Sequence, residues 1–193
     1  MHIREAKAHL RQAIKDRLAH LNDKDRHAES RSLCRRILEA LPEGQRTICA
    51  YFPLKDEADL RPLLKELLRK SHHVYLPRVE GGKVAFRRME SMEALEPGTW
   101  HIPEPPDSAP LLDSNDLDIA LIPGRAFDGT GNRLGRGNGG YDIWIRKQRQ
   151  ENPKTQYWGI ALEYQMTQEV PSEEHDEKMN SIVTARGMLT LQP

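Results

Sequence analysis

The residues best suited to chemistry lie between positions 123 and 142, PGRAFDGTGNRLGRGNGGYD. Gly129, Gly131, Gly135, Gly137, Gly139 and Gly140 alternate there with Arg133 and Arg136, and the stretch closes on Tyr141-Asp142. Glycines let backbone N–H groups approach an anion closely, and guanidinium forks match phosphate oxygens. A carboxylate at the exit can hold a divalent cation against those phosphates. The combination points to a nucleotide or another polyphosphate. Gly135-x-Gly137-x-x-Gly140 also has dinucleotide spacing, with Glu163 near the ribose-acid position. That fingerprint starts directly after its strand, whereas twelve residues separate Ile122 from Gly135. No Gly-Lys-Ser/Thr follows, so the stretch is not a P-loop.

The elements that must carry this loop follow from periodicity. Ile3, Ala6, Leu10, Ile14, Leu18 and Leu21 predict a helix over 3–21, and Leu33, Cys34, Ile37, Leu38 and Leu41 predict another over 25–41. Strands are expected at 47–52, at 73–76 with Pro77 as the stop, and at 84–88 after a Glu80–Lys83 hairpin turn. A helix is expected at 60–70. Residues 97–116 read as a proline-rich loop, 117–122 as the strand feeding the glycines, and 141–150 as a helix. Strands at 156–162 and 181–184, with a possible continuation at 188–191, complete the pattern. Alternating strands and helices predict a three-layer α/β/α fold with a largely parallel sheet, as one domain over 1–193. Ligands of such sheets gather beyond the carboxyl ends of the strands.

Lysine plus arginine and aspartate plus glutamate both total 29. No global field recruits nucleic acid or an anionic membrane, although residues 1–46 hold 11 basic against 7 acidic side chains. Cys34 and Cys49 have neither CxxC spacing nor a histidine partner, which predicts buried, reduced thiols and no zinc site. No apolar run nears the roughly 18 residues of a membrane span. These features predict a cytoplasmic monomer that acts on small molecules, with no nucleic-acid or membrane partner.

The longer pattern of Pro123-Gly124, Ala126-Phe127-Asp128, Asn132-Arg133-Leu134-Gly135, Gly137 and Tyr141-Asp142 resembles the signature loop of the 5-formyltetrahydrofolate cyclo-ligases, or methenyltetrahydrofolate synthetases. Lys7-Ala8-His9-Leu10-Arg11, Asp56-Glu57, Ile102-Pro103-Glu104-Pro105, Gln165, Val170-Pro171, His175-Asp176 and Ile182-Val183-Thr184 match further family blocks in order. The resemblance implies a fold like that of the NagB/RpiA/CoA-transferase group. It also implies a reaction in which 5-formyltetrahydrofolate and ATP give 5,10-methenyltetrahydrofolate, ADP and phosphate through a phosphorylated formyl group.

The resemblance assigns Lys7, Arg11, Arg133, Leu134, Gly135, Arg136, Gly137, Asn138, Gly139, Gly140 and Tyr141 to ATP. It assigns Phe52, Glu57, Trp100, Arg136, Gly137, Asn138, Gly139 and Gly140 to the folate, and Asp142 and Asp176 to Mg²⁺. Arg136 is the expected catalytic residue. The residues alone leave simpler readings open. Lys7 and Arg11 make an ordinary helix-boundary pair. Phe52 reads as core, Glu57 and Asp142 as helix-end charges, and Asp176 as solvated surface.

Two positions depart from the family pattern. Gly140 stands where a tyrosine is common, and Asn180 where a second aspartate often occurs. A nucleotide- or folate-binding paralogue of regulatory role is therefore an alternative, and a nicotinamide-dependent oxidoreductase a weaker one. Asp142→Ala is expected to abolish turnover and leave the fold intact.

Overall fold

A computed structural model describes residues 2–98 and 101–191. Trp100 lies outside the described residues. The helices are α1 (Ile3–Ala19), α2 (Asp23–Ala40), α3 (Arg61–Arg69) and α4 (Gly140–Glu151). The main strands are β1 (Thr47–Cys49), β2 (His73–Glu80), β3 (Lys83–Arg88), β6 (Ile119–Pro123), β9 (Gln156–Ile160), β11 (Ser181–Thr184) and β12 (Gly187–Thr190). Short strands β4 (Glu96–Pro97) and β5 (Pro103–Glu104) pair within the proline-rich stretch. β7 (Ala126–Asp128), β8 (Arg133–Leu134) and β10 (Met166–Thr167) form a second small sheet.

The main sheet runs β12-β11-β9-β6-β1-β2-β3. Its five central strands are parallel, and β12 and β3 are antiparallel edges. Successive strand residues face opposite sides. Ile48, Ile119, Leu121, Trp158, Ile160 and Val183 pack with Leu33 and Ile37 of α2 and Leu63, Leu64 and Leu67 of α3. Cys49, Ala120, Ile122, Tyr157 and Ile182 pack on the other side with Ile145 of α4. Two buried layers enclose the sheet, as the alternating pattern predicts, and both cysteines are free and buried. Among the described residues no helix is long and apolar enough to cross a membrane.

Several boundaries shift for local reasons. α2 begins two residues earlier than its apolar stripe suggests, because the Asn22 side chain accepts the Asp25 N–H at 2.8 Å. β2 continues through Pro77. The Met89 N–H bonds Val74 O, which directs the nitrogens of residues 75, 77 and 79 away from β3, and β1 pairs no further than Tyr75. Proline's missing donor is not needed there. Gly81 and Gly82, at φ +55° and +77°, make the two-residue turn.

The small sheet was not legible as strands, and it divides the glycine stretch in two. Residues 126–134 are a hairpin closed on Asp128, which is 1% exposed. Its carboxylate accepts the N–H groups of Thr130, Asn132 and Val170 together with the Thr130 hydroxyl and Asn132 amide. Gly129 and Gly131 serve this turn. Phe127, fully buried, pins the hairpin to the main sheet by lying over Gly124 and Gly159. A Cβ on Gly159 would lie 2.6 Å from Phe127 Cε1 and 2.8 Å from Ile182 Cδ1.

Gly159→Ala therefore overpacks this contact. It should cost about 1–3 kcal/mol in urea unfolding, with partial recovery in the Phe127→Leu double variant. Asp128 offers a second test. Burial opposes its ionisation, but its N–H and hydroxyl donors prevail and hold its pKa below the ordinary carboxylate value. A carboxyl depressed in the folded state stabilises above the unfolded-state pKa, and that stability is lost as pH falls through the folded value. Denaturation midpoints should drop below about pH 4 in the natural protein and drop less steeply in Asp128→Asn.

Candidate active site

α1 lies across the small sheet. Its Leu10 and Ile14 pack with Ala126, Leu134 and Val170, and this docking carries Lys7 and Arg11 to the glycines. Arg11 Nε donates to Gly135 O at 2.9 Å, and Arg11 makes no ion pair among the described residues. Burial, together with the neighbouring Arg125, pulls its pKa below the ordinary guanidinium value. A cation so placed favours an incoming anion. Lys7, only 9% exposed, donates to Glu173 at 2.8 Å and Asp176 at 2.6 Å. It is thus an ion-paired side chain, more deeply held than a helix-boundary lysine. Burial raises the cost of ionising Asp176, but Lys7 and the Glu173 N–H outweigh it and lower its pKa. The acidic run 173–177 is therefore not uniformly solvated surface.

Residues 135–140 form the part of the glycine stretch that remains an open arch. Gly137 and Gly139 take φ +107° and +67°, values that L side chains adopt rarely. Gly135 sits over the Arg133 guanidinium and Gly137 over that of Arg11. Gly139 is the N-cap of α4, so the arch opens onto a helix N-terminus with no side-chain cap. The Asn138 side chain accepts the Gly140 N–H at 3.4 Å. A Cβ on Gly140 would meet Val84 Cγ2 at 3.2 Å, so β3 already crowds this side of the arch.

Arg133 and Leu134 lie behind the arch. Arg133 is 6% exposed, donates to Pro123 O at 3.3 Å and pairs with Asp142 at 2.8 Å. Leu134 is buried against α1. Neither side chain faces a ligand; they hold the arch from beneath. Tyr141 packs edge-on to Phe86 at 6.4 Å and lies under the Arg133 guanidinium. Burial and then the Glu57 charge push its pKa up. Asp142 is inside the first turn of α4 rather than at its cap, and also accepts the Glu177 N–H at 3.2 Å.

Across from the arch, β1 ends at Cys49, and residues 50–60 cross the carboxyl edge of the sheet. Phe52 is half-buried against the α2–α3 core, so the reading of it as core holds in part. Glu57 precedes α3 by several residues and is no helix-end charge. One carboxylate oxygen accepts the Leu54 N–H at 2.9 Å, and the other accepts Arg136 at 2.9 Å. Burial pushes its pKa up. Arg136 also donates to Asp56, which in turn takes Arg125. Asp56 and Arg125 carried no role in the sequence reading. Asp56 stood beside an assigned residue, and Arg125 stood within Pro-Gly-Arg-Ala, which was read as loop. A cleft of about 460 Å³ adjoins this group, lined by Leu18, Leu21, Arg26, Leu54, Asp56 and Arg136 among others.

Two sequence suggestions fail on geometry. Asn180 exchanges backbone and side-chain hydrogen bonds with Tyr157 at 2.8 Å and extends the β9–β11 pairing, so its amide is structural. Gly135 follows the short strand β8 rather than parallel β6, and Glu163 lies in a 3₁₀ turn facing Arg186. The dinucleotide alternative loses both of its supports.

Residues 3–185 match the model of the 5-formyltetrahydrofolate cyclo-ligase family. The chain belongs to that family. It is 28% identical to the mouse 5-formyltetrahydrofolate cyclo-ligase over 94% of each chain. It is 30% identical to the probable 5-formyltetrahydrofolate cyclo-ligase of Schizosaccharomyces pombe, over 95% of this chain and 97% of the relative. The Aquifex aeolicus 5,10-methenyltetrahydrofolate synthetase superposes with a TM-score of 0.82 at 30% identity, over 97% and 93% of the two chains.

Among the described residues no group of three histidine, cysteine, aspartate or glutamate side chains forms a metal cage. Asp176 could still share a metal with a nucleotide, whereas both oxygens of Asp142 lie 2.8 Å from Arg133. Both hydrogen bonds to the Asp176 carboxylate fall on Oδ2, leaving Oδ1 for another ligand. One or two carboxylates plus phosphate oxygens and water suffice for Mg²⁺. The pairing of Asp142 with buried Arg133 changes the expectation for Asp142→Ala. Removing the carboxylate strands a guanidinium whose side chain is 3% exposed. The loss should be about 3–5 kcal/mol, read as a lowered thermal midpoint, with a smaller drop in Asp142→Asn.

Proposed function

We propose that this protein catalyses the ATP-dependent cyclisation of 5-formyltetrahydrofolate to 5,10-methenyltetrahydrofolate with release of ADP and phosphate. The observation that carries the reading is Arg136. It rises from the arch at the N-terminus of α4 and reaches the buried carboxylate of Glu57. One side chain thereby joins a phosphate-type half-site to a half-site suited to a flat, amine-bearing ring.

In this reading the backbone of residues 135–140, with Arg11 and Lys7 beside it, receives the ATP phosphates. Glu57 accepts N–H groups from the aminopyrimidine edge, and Phe52 offers apolar surface to the pterin. Trp100 is proposed as a further wall. An N-formyl amide is a poor electrophile, and its oxygen is a poor leaving group. Transfer of the γ-phosphoryl group to that oxygen gives an iminium phosphate, and attack by the neighbouring anilino nitrogen then expels phosphate. Arg136 neutralises charge on the phosphoryl group as it moves between the half-sites. Asp142 and Asp176 would hold Mg²⁺, which supplies charge neutralisation at the phosphates. Residues 1–193 act as one domain, in a cytoplasmic monomer whose partners are small molecules.

The test is near-ultraviolet absorbance of methenyltetrahydrofolate after mixing protein, MgATP and 5-formyltetrahydrofolate. Product should form only with ATP, and Arg136→Ala should lower kcat by about 10²–10³-fold. A folded protein that forms no product overturns the enzyme reading. Nucleotide or folate binding without turnover would identify a binding paralogue.

A further inference from the structure

Arg136 is held by two neighbouring acids. Nη2 donates to Asp56 Oδ1 at 2.5 Å and to Glu57 Oε1 at 2.9 Å, and Nη1 lies 3.4 Å from Asp56 Oδ2. With both Nη2 hydrogens spent on carboxylates, neither two-donor face of the guanidinium is left whole to grip a phosphoryl group. Glu57 is equally closed. Its side chain is 7% exposed, with one oxygen on Leu54 N–H and the other on Arg136. Each oxygen keeps a further lone pair, but with so little of the side chain exposed a ring that docks on Glu57 must move aside what covers it, and Arg136, 33% exposed, borders the open cleft.

Asp56 is fixed independently of Arg136. Its Oδ2 takes Arg125, and its backbone carbonyl accepts the Tyr164 hydroxyl at 2.8 Å. The Arg125 N–H is in turn tied to Leu134 O at 2.6 Å. When Arg136 leaves, Asp56 therefore keeps a cation. Asp56 and Arg125 act together as a dock whose hold on Arg136 is weakened by their own pairing.

We infer that Asp56 and Arg125 are positioning residues that store Arg136 away from the phosphate arch, and that a folate ring engaging Glu57 releases it toward the nucleotide. The inference rests on the cyclo-ligase reading and adds an order to it. Nucleotide alone meets an arch without Arg136, whereas nucleotide with folate meets the complete site. Folate and nucleotide must then strengthen each other's binding by the same factor.

The experiment is calorimetric titration of magnesium adenylyl imidodiphosphate, with and without saturating 5-formyltetrahydrofolate. In the natural protein folate should tighten the nucleotide on the order of tenfold. Asp56→Asn weakens the dock, so nucleotide alone should bind more tightly and the folate effect should shrink toward none. Arg125→Gln leaves Asp56 wholly to Arg136, so nucleotide alone should bind more weakly and the folate effect should grow. The KM for ATP at low folate should move in the same opposed directions. Loss of a nearby charge alone would move nucleotide affinity in these opposed directions but leave the folate effect unchanged, so an unchanged folate effect in both variants overturns the inference, as does a shift of both variants the same way. Circular dichroism checks folding, and Asp56→Glu and Arg125→Lys replace a variant that does not fold. Turnover by the natural protein separates the two failures. Product without coupling removes the dock, and absence of product removes the enzyme reading.

Discussion

The site depends on one close packing contact, the Phe127 ring lying over two residues that lack a side chain. Gly124 and Gly159 leave the space that the ring fills; a Cβ on either would lie 2.6 Å from a ring atom. Phe127 is fully buried, so its large apolar surface fastens the β7–β8 hairpin to the carboxyl end of the parallel sheet. α1 then docks on that hairpin through Ile14 and Leu134. Lys7, Arg11, Arg133 and the arch inherit their positions from this chain of contacts. The main sheet alone would deliver residues 50–60 and the end of β6 to one edge, but not the N-terminal helix.

Electrostatics complete what packing begins. Five cations, Lys7, Arg11, Arg125, Arg133 and Arg136, meet five acids, Asp56, Glu57, Asp142, Glu173 and Asp176. The formal charges cancel, yet they are not evenly paired. Lys7 faces two carboxylates, Arg125 and Arg136 share Asp56, and Arg11 donates to a carbonyl and makes no ion pair among the described residues. Buried charges are costly unless paired, so the deepest ones, Arg133 and Lys7, are those with firm partners. Arg11 and Arg136, less deeply buried, are left with unpaired or shared contacts. Negative charge brought by a ligand would be felt there first.

The fold was largely legible because its physics is local. Near-continuous apolar runs in 117–122 and 156–162 mark strands buried on both faces, and helical stripes mark α1 to α3. Glu80-Gly81-Gly82-Lys83 marks its turn by composition alone. Pro77 misled because a proline's effect depends on which neighbour its nitrogen faces, and only the register of β2 against β1 and β3 shows that. The small sheet was hidden because two- and three-residue strands carry no period. Its anchor, Asp128, resembles any turn aspartate until five donors are seen to converge on it.

The candidate site was legible in parts that spacing can express, such as Lys7 one turn before Arg11 and glycines placed around Arg136. It was not legible where function depends on which partner a charge selects. Asp56 and Glu57 are adjacent acids in sequence, but their environments separate them. Asp56 stands between two arginines that hold its pKa down against burial, while burial raises that of Glu57. Asp56 therefore stays ionised and suits the retention of cations. Glu57 is costly to leave charged, which makes any ligand able to donate to it more welcome. The same neighbours thus differ in the cost of carrying charge, a difference that arises from solvation and pairing rather than from residue type.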